Sequence, residues 1–184
     1  MSQARQTPEV EALLHELIRD IPDWPEPGVT FRDITPLLAD PEAFGAVVEA
    51  MTELGRSLAG GPIDRVLGIE ARGFILAAPV ALALGAGFVP VRKAGKLPSF
   101  THAVSYQLEY GDATLEMHTD ALSPGDRALV IDDVLATGGT VAATIDLIDK
   151  CGATHVGTAV LLELEALRGR DRLTGLPVGA LRLV

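Results

Sequence analysis

The stretch Val130-Ile131-Asp132-Asp133-Val134-Leu135-Ala136-Thr137-Gly138-Gly139-Thr140 decides how this chain folds. An apolar run ends in two acids, a short glycine loop follows, and a helix opens at Thr140. Ala128-Leu129-Val130-Ile131 is apolar without alternation, as in a strand covered on both faces. The reading is a strand over Arg127 to Asp132 with the acids at its carboxyl end, then a helix over Thr140 to Lys150. Glycines permit a tight turn and close backbone approach. Successive N–H groups in such a turn cradle an anion, and the positive end of the helix favours it. The hydroxyls of Thr137 and Thr140 add donors. A capped helix after an ordinary turn uses similar residues, so the acid pair alone says little; the whole string says more. It has neither the three spaced glycines of a dinucleotide fingerprint nor the Gly-Lys-Ser/Thr of a Walker loop.

Outward from this string, strands and helices alternate. Strands are predicted at Asp64 to Ile69, Gly87 to Val91 and His155 to Leu162, with a helix over Phe74 to Leu84 closed by Gly85. Such alternation implies right-handed crossovers and a parallel sheet, an α/β fold. Upstream, a helix runs from about Pro8 to Asp20, with Thr7 as its cap, and another follows Pro41 and ends near Gly60–Gly61. Between them Ile21 to Pro36 contains Pro22, Pro25, Pro27 and Pro36 and reads as a long stiff loop, with Trp24 packed beneath it. Tyr106 to Tyr110 and Ala113 to His118 flank a Gly111–Asp112 turn and read as a hairpin, preceded by an irregular mobile loop over Lys93 to Ser105.

Composition bounds the function. A net charge of −10 argues against a general nucleic-acid binder, which needs a basic surface. Lys93 and Lys96 beside Arg92 form one local basic spot, suited to a small anion. The longest apolar run, Phe74 to Leu84, is too short to span a bilayer and carries Pro79. The single cysteine, Cys151, excludes an internal disulfide and reads as a buried, inert thiol. A cytoplasmic location is expected. Two carboxylates beside a phosphate cradle suit ribose hydroxyls, held directly or through magnesium.

At this point the chain resembles a known family. The Val130 to Thr140 string is similar to the phosphoribosyl-pyrophosphate motif of type I phosphoribosyltransferases. Pro27-Gly28-Val29-Thr30-Phe31-Arg32-Asp33-Ile34-Thr35-Pro36 resembles the base-binding segment of the adenine phosphoribosyltransferases among them. Glu70-Ala71-Arg72-Gly73-Phe74 resembles their pyrophosphate loop. Arg92-Lys93-Ala94-Gly95-Lys96-Leu97-Pro98 and Tyr106-Gln107-Leu108-Glu109-Tyr110-Gly111 resemble the two ends of their catalytic loop. The resemblance covers Ile21 to Leu164, with four motifs in the family's order.

The resemblance implies a single domain over 1–184. Its parallel sheet would be flanked by helices, with a small hood and base-binding segment at about 1–40 and an inserted flexible hairpin loop at about 93–118. It implies that Ala136, Thr137, Gly138, Gly139 and Thr140 grip a 5′-phosphate and that Asp132 and Asp133 face the ribose hydroxyls and Mg2+, directly or through water. Arg72 would face pyrophosphate, next to a Glu70–Ala71 bond in cis. Arg92, Lys93 and Lys96 would add charge there, some of it across a homodimer interface. Val29, Thr30 and Arg32 would meet the base, Glu109 would move the proton at the purine N7, and Tyr110 would help close the loop. The implied partners are adenine and 5-phosphoribosyl 1-pyrophosphate, without nucleic acid or membrane. Two alternatives stand beside this: a sister enzyme for hypoxanthine, guanine or xanthine, and a regulator that binds phosphoribosyl pyrophosphate without catalysis. Thr30 stands where the family commonly has an apolar residue, and Glu165 to Val184 matches only loosely.

Overall fold

A computed structural model describes residues 8–107 and 112–184. The elements in chain order are α1 (Pro8–Leu17), β1 (Arg19–Pro22), β2 (Thr30–Asp33), α2 (Thr35–Ala39), α3 (Pro41–Ala59), β3 (Arg65–Ile69) and α4 (Arg72–Leu84). There follow β4 (Gly87–Lys93), β5 (Thr101–Gln107), β6 (Asp112–His118), β7 (Arg127–Leu135), α5 (Gly139–Lys150), β8 (Thr154–Glu163), α6 (Gly169–Arg172) and β9 (Val178–Leu183). Seven strands form one sheet in the order β5-β6-β4-β3-β7-β8-β9. From β4 through β3, β7 and β8 to β9 all neighbours are parallel, while β6 runs antiparallel to both β4 and β5, so the expected α/β architecture is present.

The apolar run on β7 is continuous because the strand is covered twice. Leu129 and Ile131 pack with α1, α3 and α4 on one face of the sheet. Ala128 and Val130 pack with α5 on the other. Helix boundaries follow local chemistry. Asp40 caps α3 by accepting hydrogen bonds from the Glu42 and Ala43 amides (3.0 and 2.9 Å), and Pro41 fills the first turn, where its missing N–H costs nothing. Pro79 stays inside α4 and does not break it. Cys151 ends α5 and is buried, and burial pushes its thiol up from the ordinary value.

Three boundaries differ from expectation. First, α1 ends at Leu17, and the stretch predicted as a proline-rich loop holds a two-stranded ribbon and a helix. Pro22 sits at the end of β1, Pro25 and Pro27 in the connection, and Pro36 in the first turn of α2, all places where no N–H is required. Trp24 is half exposed, with its ring edge-on to Phe31 at 4.6 Å, rather than packed beneath a loop. Second, β7 runs on past the acids to Leu135, because β8 pairs with it as far as Glu163. Its other neighbour, β3, stops pairing at Ile131, which leaves Asp132 and Asp133 projecting beyond that edge. Third, the predicted loop over Lys93 to Ser105 becomes strand from Thr101, and the hairpin pairs with β4 at Arg92↔Glu116 and Lys93↔Leu115, continued by the Ala94 amide donating to the Thr114 carbonyl (3.0 Å). The Thr7 cap lies outside the described residues.

The β1–β2 ribbon is fastened by charge. Arg19 donates to Asp33 through Nη2 (2.6 Å) and Nε (3.2 Å), and Arg32 pairs with Asp20 on the opposing strand. Asp33 also accepts from the Thr35 amide (2.9 Å), joining the ribbon to α2. Hydrogen bonds from Thr35, then the nearby Arg19, hold the Asp33 carboxyl below its ordinary 3.8. A folded value below the unfolded one means the group stabilises the fold above about pH 3.8, and that contribution fades as pH falls through the lower folded value. Asp33→Ala is therefore expected to cost about 1–2 kcal/mol in urea unfolding at neutral pH. The gap from the parent protein should narrow in acid. Equal urea midpoints at neutral pH would show that the ribbon does not depend on this carboxylate.

Candidate active site

The site gathers at the edge that β7 presents beyond β3. Asp132 and Asp133 are both buried. The Asp133 amide donates to Asp132 Oδ1 at 2.9 Å. Burial, then the neighbouring Asp133 charge, pushes the Asp132 carboxyl well above its ordinary value. Oδ1 of Asp132 packs on Gly73, where a methyl group would stand 2.8 Å away. The counter-charge comes from Arg72, the first residue of α4, whose Nε lies 2.6 Å from Asp133 Oδ2. That contact is not aligned as a hydrogen bond, so the buried Oδ2 is left without a donor. The same guanidinium lies 5.0 Å from the centre of the Phe31 ring, within cation–π range. Arg72 thus links the acid pair on β7 to Phe31 on β2. It follows a Glu70–Ala71 peptide bond that is cis, as the resemblance implied.

The loop from Ala136 to Thr140 joins β7 to α5, and its shape rests on glycine at two points. Gly138 has φ of 79°, a conformation that residues with a Cβ rarely adopt. It also meets a second glycine from outside the loop: any Cβ on Gly169 would stand 2.3 Å from the Ala136 carbonyl oxygen. The C-terminal segment is therefore a seat for this loop. It is pinned by Arg170, whose Nε donates to both Glu163 oxygens (2.7 and 2.9 Å) and whose Nη1 donates to the Val178 carbonyl (2.8 Å). On the opposite side Tyr106 of β5 reaches over, with its hydroxyl 3.1 Å from the Thr140 hydroxyl.

The basic spot is organised by Glu70. Its carboxylate pairs with Lys96 and with Arg92 Nε (3.3 Å) and accepts from the Lys93 amide (3.0 Å). Burial alone would raise this carboxyl, but hydrogen bonds from Lys96 and the Lys93 amide, with the charges of Lys96 and Arg92, outweigh it and hold it low. The backbone of the spot is tied to β6 through the Gly95 amide and Glu116 (3.0 Å).

A cavity of about 760 Å³ collects these groups. Arg72, Lys93, Asp132, Asp133 and Thr140 line it, with Glu70 and Tyr106. Arg92 and Lys96 stand behind Glu70 and do not line it, and neither do Ala136 to Gly139 or the segment with Val29, Thr30 and Arg32. The Arg32 guanidinium turns to Asp20, so the side chain from this segment that meets Arg72 is Phe31. Glu109 and Tyr110 lie outside the described residues. A second groove of about 640 Å³ runs between β5 and α5, but Asp146 and Asp149 oppose Lys150 there, an unsuitable lining for an anion.

Sequence reasoning missed three contributors: Phe31, Tyr106 and the Gly169 seat. The first two lay inside quoted motifs without a role. Gly169 lay in a stretch where arginines alternate with other residues and no periodic signal marks a packing contact.

Residues 33–174 match the phosphoribosyl transferase domain. An adenine phosphoribosyltransferase of Nocardioides sp. is 63% identical over 91% of this chain and 91% of its own. The chain belongs to the adenine phosphoribosyltransferase family. Solved structures of the family agree in fold. The adenine phosphoribosyltransferase of Rhodothermus marinus is 50% identical and superposes with a TM-score of 0.90, covering 97% of this chain and 100% of that one. The enzyme from Saccharomyces cerevisiae, complexed with an imino-altritol bisphosphate and adenine, is 34% identical with a TM-score of 0.90 over 96% and 100%.

The seat under the glycine loop yields a direct test. Gly169→Ala forces a methyl group against the Ala136 carbonyl, and overpacking of this kind costs about 1–3 kcal/mol. Weaker binding of ribose 5-phosphate, measured by calorimetry, should accompany the lost stability. A variant that binds ribose 5-phosphate like the parent would mean that the loop does not depend on its seat.

Proposed function

We propose that the chain makes AMP by transferring the phosphoribosyl group of 5-phosphoribosyl 1-pyrophosphate to adenine, releasing pyrophosphate. The observation that carries this reading is the meeting, in one cavity, of a buried acid pair, Arg72 and the mouth of the glycine loop. Family membership selects adenine over hypoxanthine, guanine or xanthine, and it does not favour a non-catalytic regulator.

In the reaction the bond from C1 of the ribose to the pyrophosphate oxygen breaks, and that oxygen keeps the electron pair. The C1–N9 bond to adenine forms, and the ring proton leaves the purine. Positive charge grows on the sugar while negative charge grows on the leaving group. Each residue in the site answers one of these changes. The N–H groups of residues 137 to 140 hold the 5′-phosphate and fix the sugar. Asp132 and Asp133 face the ribose hydroxyls, and the negative charge held by the pair favours the developing cation. Arg72 and Lys93 meet the pyrophosphate, with Arg92 and Lys96 kept nearby by Glu70. The segment with Val29, Thr30 and Arg32 meets the base; because the Arg32 guanidinium is engaged by Asp20, its contribution is through the backbone. Glu109 takes the purine proton at N7, an effect typically worth about 10²–10⁴ in rate. The hairpin carrying it, with Tyr110, closes over the substrates and excludes water.

The acid pair suits Mg2+. Among the described residues no group of three or more His, Cys, Asp or Glu surrounds a common point, so these residues build no complete cage. Mg2+ is commonly held by one or two carboxylates with substrate oxygens and water, and Asp133 Oδ2, which accepts no hydrogen bond, would hold it, directly or through water. Bound there, the ion would neutralise charge on the leaving pyrophosphate. A homodimer is part of the proposal: Ile75 and Leu82, seven residues apart on α4, expose one apolar face, with Phe88 nearby on β4. Among the described residues no helix is long and apolar enough to cross a membrane, which suits the proposed cytoplasmic setting.

Two measurements check this reading. Purified protein with phosphoribosyl pyrophosphate and Mg2+ should form AMP from adenine, with little product from hypoxanthine or guanine, and should stop when the ion is chelated. Product from guanine instead would overturn the assignment of the base. Glu109→Ala should fold normally and turn over at least about tenfold more slowly; unchanged turnover would remove Glu109 from the mechanism.

A further inference from the structure

Three arginines of the C-terminal segment are each engaged by a partner. Arg168 pairs with Asp171 (2.7 Å), Arg170 is held by Glu163 and the Val178 carbonyl, and Arg182 donates to the Leu14 carbonyl (2.8 Å). Arg172 differs. Among the described residues it has neither an ion pair nor a hydrogen bond, on a chain with net charge −10. Its position is nevertheless defined. A methyl group on Gly138 would stand 3.4 Å from the Arg172 Cβ, and one on Gly139 would stand 3.0 Å from its Nη1. The side chain thus lies along the two glycines of the loop, with its stem packed on one and its guanidinium against the next. The Tyr106 ring, 3.0 Å from the same point on Gly139, bounds the other side.

We infer that Arg172 is a binding residue for the 5′-phosphate, supplying the positive side chain that the loop itself lacks. Ala136 to Thr140 offers amides and hydroxyls but no cation, whereas a phosphate monoester is close to a dianion at neutral pH. Arg72, Lys93, Arg92 and Lys96 belong to the pyrophosphate end of the cavity and around Glu70. Arg172 is the cation that the fold lays against the glycines of the cradle. Guanidinium groups suit phosphate because several N–H donors lie in one plane. Since no acid among the described residues pairs with it, the group can meet the ligand without breaking an ion pair there. The inference rests on the reading of Ala136 to Thr140 as the phosphate site.

The test separates the two ends of the substrate. Ribose 5-phosphate and pyrophosphate are titrated separately into the full chain and into Arg172→Gln and Arg172→Lys, and AMP formation is followed in parallel. In Arg172→Gln the Kd for ribose 5-phosphate and the KM for phosphoribosyl pyrophosphate should each rise about tenfold, more in kcat/KM than in kcat. Pyrophosphate affinity should stay that of the parent, and Arg172→Lys, which restores the charge but not the planar donors, should recover part of the loss. The parent's affinity for ribose 5-phosphate should also weaken with added salt more steeply than that of Arg172→Gln. Unchanged ribose 5-phosphate binding in Arg172→Gln, while the parent makes AMP, would overturn the inference. An equal loss for both ligands would overturn it too, by showing a general disturbance of the site. A parent that forms no AMP would sink the proposed reaction instead, and the ribose 5-phosphate titrations would still decide the role of Arg172.

Discussion

Two carboxylates buried side by side on a central strand require a counter-charge, and that requirement organises the site. Desolvation and the neighbouring Asp133 charge both act against ionising Asp132. Arg72 answers from the start of α4, which must therefore begin level with the exposed end of β7. Asp132 needs close approach to α4, and Gly73 permits it. β3 must stop short so that the acids emerge, and it stops pairing at Ile131. The relative placing of β3, α4 and β7 is thus tied to where charge has to be stored.

The core elements were legible because their signals are local. The doubly covered β7, the capped α3 and the helix after the glycine loop follow from residues that touch their sequence neighbours. Less legible were features decided by partners far along the chain. β7 extends to Leu135 only because β8 continues beside it, which nothing in Val134 or Leu135 discloses. The β1–β2 ribbon depends on Arg19 meeting Asp33 and Asp20 meeting Arg32, pairings more than ten residues apart that proline content obscured. Likewise Gly169 supports Ala136 across more than thirty residues. For the site, the acid pair, the glycine loop and the basic spot could be read as motifs. What Phe31 and Tyr106 touch could not, since a ring in a motif does not say which neighbour it faces.

Glu70 illustrates how a buried acid can organise cations without being their substrate. Arg92, Lys93 and Lys96 are close in sequence and would repel one another if left together on a loop. The single Glu70 carboxylate gathers all three contacts, two through side chains and one through a backbone amide. Its burial strengthens these interactions relative to water, so the basic spot keeps a defined shape before any anion arrives.

The narrow junction between β4 and β6 has a consequence for how motion is distributed. Seven residue pairs zip β5 to β6, while two join the hairpin to the rest of the sheet. The hairpin is therefore cohesive within itself and meets the sheet over a short edge, while Leu115 and Met117 of β6 and Tyr106 of β5 fasten it to the core and to α5. Amide protection is expected to be deepest in β7 and β8 and to decline towards β5, which has a strand neighbour on one side only. Order is thus concentrated where the chain stores charge and declines towards the outer edge of the hairpin.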